Sequence, residues 1–406
     1  MEGREPYLKI WQDLAIDKSM IFLTGPRQAG KTTLAQIISR SFSNNLYFNW
    51  DIAHHMTRLI ENPSFFEAVE RKDSSTPLIV FDEIHKYKDW KNYLKGVYDQ
   101  FHDRYQFLVS GSGRLDIYQK GGDSLAGRYF LFHLWPFTIA ELGDRNVTIH
   151  EFLNNSLQIT MERNDELKEI WSRLSKLSGF PEPYLANRMT TYRRWSNAYS
   201  QQLIREDIRD LTGIKSVGDI ETLYLLLSSK VGSPLSATSL ARDLQVSYNS
   251  VRSWLSVFER FFLIFSISPW TWRIARSIQK ERKVYLWDVP RVEEPAARFE
   301  NMVAMELWRA VRAWNDMGYG LFSLHFIKNK EKQEVDFLIA NGRKPFLLIE
   351  AKLSDTQPSS ELKKFQRTLK IPAVQLTNEG DRYRILSNED QSILVAPAYQ
   401  WLSQLP

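Results

Sequence analysis

Along the first 145 residues, short and fully apolar runs alternate with stretches of helical spacing. Residues 19–23 read as a buried strand, and the LAQIISR stretch that follows closely has apolar positions at helical intervals. LYFNWDI, residues 77–86 (PLIVFDEIHK) and residues 107–112 (FLVSGS) supply three more strand-like runs, and SLAGRYFLFHLWPF a fourth. Runs this short and this apolar, separated by helices, predict a parallel sheet with helices on both faces.

The link between the first strand and its helix is Gly25-Pro26-Arg27-Gln28-Ala29-Gly30-Lys31-Thr32-Thr33. This is the G-x-x-x-x-G-K-[ST] pattern in the strand–loop–helix setting it requires. Glycines let main-chain N–H groups wrap phosphate oxygens, and the helix N-terminus adds its positive dipole end. Lys31 is expected to reach the β- and γ-phosphates of ATP, and the Thr32 hydroxyl to ligate Mg²⁺. The apolar run of residues 77–86 closes on Asp82 and Glu83, and two carboxylates at the end of a buried strand are costly unless they have a task. Asp82 is assigned to the Mg²⁺ side and Glu83 to the base that polarises the attacking water. Ser110 or Ser112 senses the γ-phosphate or else marks a tight turn. Arg128 stabilises transition-state charge from a neighbouring subunit, which needs at least a homo-oligomer, or is an ordinary arginine at a strand start.

The phrases GPRQAGKTT, FDEIHK, SGS, SLAGR and WPFTIAEL resemble the AAA+-type ATPases of bacteria and archaea that carry a C-terminal domain of unknown function. The resemblance spans nearly the whole chain. It implies an ASCE-type P-loop core that binds and hydrolyses ATP, and leaves the cellular role undefined.

Residues 146–215 alternate polar and apolar positions at helical spacing, interrupted by SGFPEPY, and predict a helical lid on the nucleotide domain. Residues 216–288 have the rhythm of a winged helix-turn-helix. Helix caps are expected at Ser236 and Ser247, and a strand pair after residues 261–264. A DNA reader would present Tyr248, Asn249 and Arg252 from the second helix, although such modules also dock proteins. Residues 269–283 mix tryptophan with Arg273, Arg276, Lys280, Arg282 and Lys283, a composition that grips a phosphate backbone or simply forms a solvated charge run.

From about residue 290 a long helix carrying Glu300 precedes two strands joined by a turn at Asn341-Gly342. Asp336 lies on the first strand. Glu350 and Lys352, two apart on the second, point to one face. Asp336…Glu350-x-Lys352 resembles the PD-(D/E)XK nuclease superfamily, which implies a restriction-endonuclease-like α/β fold and a Mg²⁺ or Mn²⁺ site. In that reading Asp336, Glu350 and Glu300 hold the metal and Lys352 positions the attacking water. Gln366 stands where many members carry an active-site glutamine. The first acid sits in EVD rather than PD, and Glu334 is an alternative or additional ligand.

Composition narrows this picture only a little. The chain has 406 residues, 53 Lys plus Arg, 48 Asp plus Glu and a net charge of +5, which permits nucleic-acid binding without requiring it. The sequence holds no cysteine, so thiolate metal sites and cysteine nucleophiles are excluded. The charged N-terminus and the absence of a long apolar stretch lead to the expectation of a cytoplasmic protein without membrane contact.

The expected architecture is therefore α/β and multidomain: a P-loop core at 1–145, a lid at 146–215, a winged helix at 216–288 and a nuclease-like domain at 289–406. Two functions fit it. Either the ATP state gates metal-dependent cleavage of nucleic acid, DNA over RNA, in defence or repair, or the chain is a nucleotide-driven interaction switch with an inactive nuclease-like domain.

Overall fold

A computed structural model describes residues 4–111, 125–143, 147–157, 164–208, 216–271, 281–354, 357–380, 383–388 and 391–406. The chain forms two compact units, Met1–Pro136 and Phe137–Pro406.

In the first unit α1 (Glu5–Asp17) precedes β1 (Met20–Thr24), α2 (Lys31–Arg40), β2 (Asn45–Asn49) and α3 (Ala53–Glu61). There follow β3 (Leu78–Asp82), α4 (Trp90–Phe101), β4 (Gln106–Ser110) and β5 (Phe130–His133). The strands are parallel in the order β2-β3-β4-β1-β5. Every residue of β1 and β3 is buried, as unbroken apolar runs require, whereas β2 at the edge is partly exposed. Strand β4 stands between β1 and β3, so the loop after β1 and the acids ending β3 open at the same sheet edge. On one side the core is aromatic, with Phe66 edge-on to Phe65, Phe81, Phe101 and Phe107 at centroid distances of 5.0–6.1 Å.

The second unit opens with helices α5 (Ile139–Leu142), α6 (Ile149–Asn154), α7 (Asp165–Leu177), α8 (Pro181–Ala186) and α9 (Met189–Gln202). Most of these lie in the stretch expected to form a lid, and they pack within this unit. Trp171 of α7 donates its ring N–H to Asn378 and meets Phe299 edge-on, while Phe180 sits 4.8 Å from Trp195 of α9. Next come α10 (Val217–Ser228), β6 (Pro234–Leu235), α11 (Ala237–Asp243), α12 (Tyr248–Arg260), β7 (Ile264–Pro269) and β8 (Arg282–Leu286). Ser236 and Ser247 cap α11 and α12 through their side chains, and β8 pairs antiparallel with both β6 and β7.

The 22-residue α13 (Pro295–Asp316) starts at Glu294, whose carboxylate accepts from the N–H groups of Ala296 and Ala297, with proline at the first helical position. It is followed by β9 (Phe322–Lys328), β10 (Glu334–Asn341), β11 (Lys344–Lys352), α14 (Ser360–Leu369), β12 (Ala373–Thr377), β13 (Arg384–Asn388), β14 (Gln391–Pro397) and α15 (Ala398–Leu402). Hairpin β10–β11 turns at Gly342-Arg343, one residue later than expected, because Asn341 still pairs with Lys344; Gly342 has φ 58°.

One sheet joins all these strands in the order β13-β14-β12-β11-β10-β9-β7-β8-β6. Its seam is a parallel pairing of β7 with β9, Ser268 against His325 and Pro269 against Phe326. Hydrogen bonding therefore runs across the boundary expected near residue 288, because β7 leaves an edge that β9 completes.

Candidate functional site

At the C-terminal edge of the first sheet the chain leaves β1 through Gly25 (φ 139°), where a Cβ would lie 2.1 Å from the carbonyl oxygen of Leu134. Only glycine fits there. The loop then runs Pro26-Arg27-Gln28-Ala29, closed by Ala29 N–H donating to the Pro26 carbonyl. Gly30 (φ 99°) starts α2 with no side-chain cap, which leaves the first N–H groups of Lys31, Thr32 and Thr33 aimed at the loop's concave side. The Lys31 ammonium folds back to donate to the carbonyls of Gly25 (3.1 Å) and Pro26 (2.7 Å).

Asp82 is wholly buried at the end of β3. Its Oδ2 accepts from Thr32 Oγ1 at 2.9 Å, from the Tyr47 hydroxyl at 2.5 Å and from Asn49 Nδ2 at 3.4 Å. Its Oδ1 has no hydrogen-bond partner among the described residues. Burial raises the Asp82 pKa, and the bonds from Tyr47 and Thr32 pull it back. A threonine hydroxyl against a buried carboxylate with one oxygen unused is the donor set a phosphate-bound Mg²⁺ completes, so these residues fit ATP with its metal. A bound metal would neutralise phosphate charge, and Lys31 with the α2 N-terminus would orient the phosphates from this chain's side.

Glu83 (φ 58°) turns out of the strand, its N–H bonded to the Ser110 carbonyl and its carboxylate 3.1 Å from Lys86. Lys86 also pairs with Asp51 at 2.6 Å, so the expected base is held from the side. Ser110 is buried beside Asp82 in the register of β3 and β4. Ser112 lies outside the described residues. Arg128 forms an ion pair with Asp99 at 2.6 Å within the same unit. Tyr47, Asn49 and Lys86 escaped sequence reasoning: only the β2–β3 register brings the first two to Asp82, and Lys86, though it closes the FDEIHK phrase, carried no assigned role.

Residues 17–143 match the model of an AAA domain. The first unit is a P-loop ATPase domain of that type. Residues 168–290 and 296–399 match models of two domains of unknown function, DUF8612 and DUF4143. The chain is 21% identical to an uncharacterized protein of Methanocaldococcus jannaschii over 398 residues, covering 93% of this chain and 86% of that one. It is 23% identical to an uncharacterized protein of Mycobacterium tuberculosis over 269 residues, and spans only 54% of that relative's length. Among solved structures, a Walker-type ATPase of Pyrococcus abyssi aligns at TM-score 0.45 and 14% identity, over 72% of this chain and 95% of the other. The Aeropyrum pernix ORC1 protein in complex with DNA aligns at 0.33 and 12%, over 70% and 86%.

Beyond the ATPase domain, the second unit gathers Glu300, Glu334, Asp336, Glu350 and Lys352 near one face of the sheet. The centre of the acidic group is a lysine from the basic run expected either to grip a phosphate backbone or to form a solvated charge run. Lys283 of β8 has a side chain only 1% exposed. Its ammonium lies 2.7 Å from Glu334, 3.1 Å from Glu300 and 3.5 Å from Asp336. Residues 272–280 of that run, with Arg273, Arg276 and Lys280, lie outside the described residues.

The Tyr285 hydroxyl donates to Glu300 Oε1 at 2.8 Å, and the Ala351 N–H to Asp336 Oδ2 at 3.0 Å. Lys352 meets Glu350 Oε1 at 3.0 Å, and Ser359 donates to Glu350 Oε2. Among the described residues, no three His, Cys, Asp or Glu side chains are arranged to hold a metal ion. The expected trio of Glu300, Asp336 and Glu350 is thus corrected: main-chain, hydroxyl and ammonium donors already engage Glu300 Oε1, Asp336 Oδ2 and both Glu350 oxygens. The donor set does not fit a metal. Gln366 is buried on α14.

Burial pushes the Glu300 carboxyl up to about 7, helped by the Asp336 charge and opposed by Lys283 and Tyr285. For Glu334, burial pushes upward, but Lys283 and Lys328 outweigh it and leave the carboxyl below its ordinary value. Burial also raises Glu350, against the Ser359 bond. A cleft of about 640 Å³ opens here between the α10–β6 turn and the site. Its lining carries Glu293, Glu294, Glu300 and Asp336 against Lys352, an acidic balance that repels phosphate. Among the described residues no helix is long and apolar enough to cross a membrane.

Proposed function

We propose that the chain is an ATP-hydrolysing switch whose second unit combines a winged helix with a nuclease-like fold and docks nucleic acid, DNA before RNA. The Thr32–Asp82 contact at the mouth of an uncapped P-loop helix, with one Asp82 oxygen unused, carries the ATPase half of the reading. Thr32 and Asp82 hold Mg²⁺, Lys31 the β- and γ-phosphates, and Glu83 orients the water. Ser110 sits where a phosphate sensor is useful. Arg128 serves another copy of the chain only after leaving Asp99.

Docking is supported by α12, whose Val251, Trp254, Val257 and Phe258 are buried while Tyr248, Asn249 and Arg252 are exposed at its N-terminal end. Arg252 lies over the Tyr248 ring at 5.7 Å, a preformed cation-and-aromatic face. A second reading, ATP-gated cleavage, takes its support from Lys352 paired with Glu350 in the cleft that Asp336 also lines, and requires a cation to displace the donors now on those carboxylates.

ATP turnover in the Lys31→Ala and Glu83→Gln variants tests the first half. The expected result is loss of turnover in both, with ATP still bound by Glu83→Gln; normal hydrolysis by Lys31→Ala refutes the assignment. Plasmid nicking with Mg²⁺ or Mn²⁺ separates the two readings of the second unit. The docking switch leaves the plasmid intact, and nicking lost in both Asp336→Ala and Lys352→Ala establishes the nuclease.

A further inference from the structure

We propose that the Lys283 ammonium is the resident cation of the acidic cluster Glu300–Glu334–Asp336, and that this site takes no divalent metal while Lys283 is in place. The inference deepens the docking reading of the second unit and rests on its nuclease-like fold.

Three carboxylates from two elements, α13 and β10, converge on one ammonium within 3.5 Å. A lysine moved out of water loses hydration worth several kcal/mol and keeps its charge only if neighbouring anions return it. Here burial draws the Lys283 pKa down, and Glu300, Asp336 and Glu334 together reverse that and hold it above its ordinary value. The group is therefore a cation at neutral pH.

Lys283 is also anchored. Its backbone sits between two strands, facing Pro234 of the short edge strand β6 on one side and Ile267 of β7 on the other, so withdrawal means unzipping β8. The Phe326 ring lies 5.6 Å from the ammonium and the Tyr285 hydroxyl shares Glu300 Oε1 with it. The other Glu300 oxygen lies under Gly232 (φ 75°), where any Cβ would come within 2.7 Å of it. The loop backbone thus lies against Glu300 at the rim of the cleft that Asp336 also lines.

The charge balance explains the exclusion. A divalent ion entering among Glu300, Glu334 and Asp336 meets a positive charge a few ångströms away that cannot leave. At an effective dielectric near 20, each such unit-charge pair at 4 Å is repulsive by an amount equivalent to roughly a thousandfold in affinity. Removing the ammonium leaves three clustered carboxylates beside Lys328, which pairs with Glu334, and Lys352, which Glu350 holds. A divalent cation shared by them, or at lower pH a proton on Glu300, then restores neutrality.

The test is Mn²⁺ binding by electron paramagnetic resonance, with nucleotide omitted so that the ATPase domain holds no metal. Full-length wild type, Lys283→Met and Lys283→Met/Asp336→Asn are compared. The expected result is no Mn²⁺ retained by wild type and one retained by Lys283→Met, at least about a hundredfold tighter, lost again in the double variant. Thermal melts should show Mn²⁺ stabilising Lys283→Met alone.

One Mn²⁺ bound by wild type and lost in Asp336→Asn overturns the proposal. So does a folded Lys283→Met that binds none. Should Lys283→Met not fold, ¹⁵N-lysine spectra of wild type decide. A slowly exchanging ammonium signal, unmoved by Mn²⁺ and displaced in Glu334→Gln, upholds the assignment, and its absence rejects it. ATP turnover and DNA binding are independent of these readouts, so failure here leaves the docking switch standing and failure there leaves Lys283 assigned.

Discussion

Replacing Tyr47 by phenylalanine tests whether the hydroxyl network, and not only the motif, keeps Asp82 ionised. Tyr47 donates at 2.5 Å to the oxygen that also accepts from Thr32 and, at 3.4 Å, from Asn49. Burial and the Asp82 charge raise the Tyr47 pKa, so the phenol stays protonated and donates throughout the working pH range. Hydrogen bonds to charged groups contribute roughly 1.5–3 kcal/mol. Because Thr32 remains, the lower half of that range applies, about 1.5–2 kcal/mol. Divided by 1.36 kcal/mol per unit, that loss lifts the Asp82 pKa by about one unit or slightly more.

The sign follows from which form is held. The lost bond favoured the carboxylate, so the variant is protonated at higher pH, and the acid limb of kcat/KM, which reports the free enzyme, moves upward by about one unit. Turnover at alkaline pH should approach that of wild type. A limb shifted by less than about 0.3 unit, with unchanged stability, refutes the claim that Tyr47 supports Asp82.

Glu306 is buried on α13, accepts from the Ile139 N–H at 3.0 Å, and is pushed up to about 7 by burial against the pull of Arg309. A raised carboxyl adds stability that is complete below its unfolded value and lost as pH climbs through 7. Urea melts should therefore show wild type weakening between pH 5 and 8 by up to about 3 kcal/mol. Glu306→Gln should flatten that slope without abolishing it, since Glu300 titrates in the same range. Gly25→Ala places a methyl group 2.1 Å from the Leu134 carbonyl oxygen at φ 139°. It should lower stability by more than about 2 kcal/mol and abolish ATP binding measured with a fluorescent analogue. Arg252→Ala should weaken duplex DNA binding and reduce the salt slope by about one, as read by anisotropy at several salt concentrations; an unchanged slope removes Arg252 from the interface.

Much of the nucleotide site was legible because its parts are local: the loop glycines, Lys31 and Thr32 sit within nine residues, and Asp82-Glu83 close an apolar run. The β10–β11 hairpin was legible for the same reason, through Asn341-Gly342 and the two-residue spacing of Glu350 and Lys352. What escaped depends on neighbours far apart in sequence. Tyr47 meets Asp82 only because β2 pairs with β3 in that register. Lys283 looked like one more charge in a basic stretch, and composition cannot tell a lysine facing water from one facing three acids. The seam between β7 and β9 is likewise invisible, because two apolar strands separated by more than fifty residues carry no mark of their pairing.

That seam bears on how the protein can be divided. A fragment cut after residue 288 would lose β7 and β8 together, baring the outer edge of β9 to any passing strand. It would also strand Glu300, Glu334 and Asp336 without their ammonium. The C-terminal piece is thus not a self-sufficient part: its natural border lies upstream of the turn at residue 232.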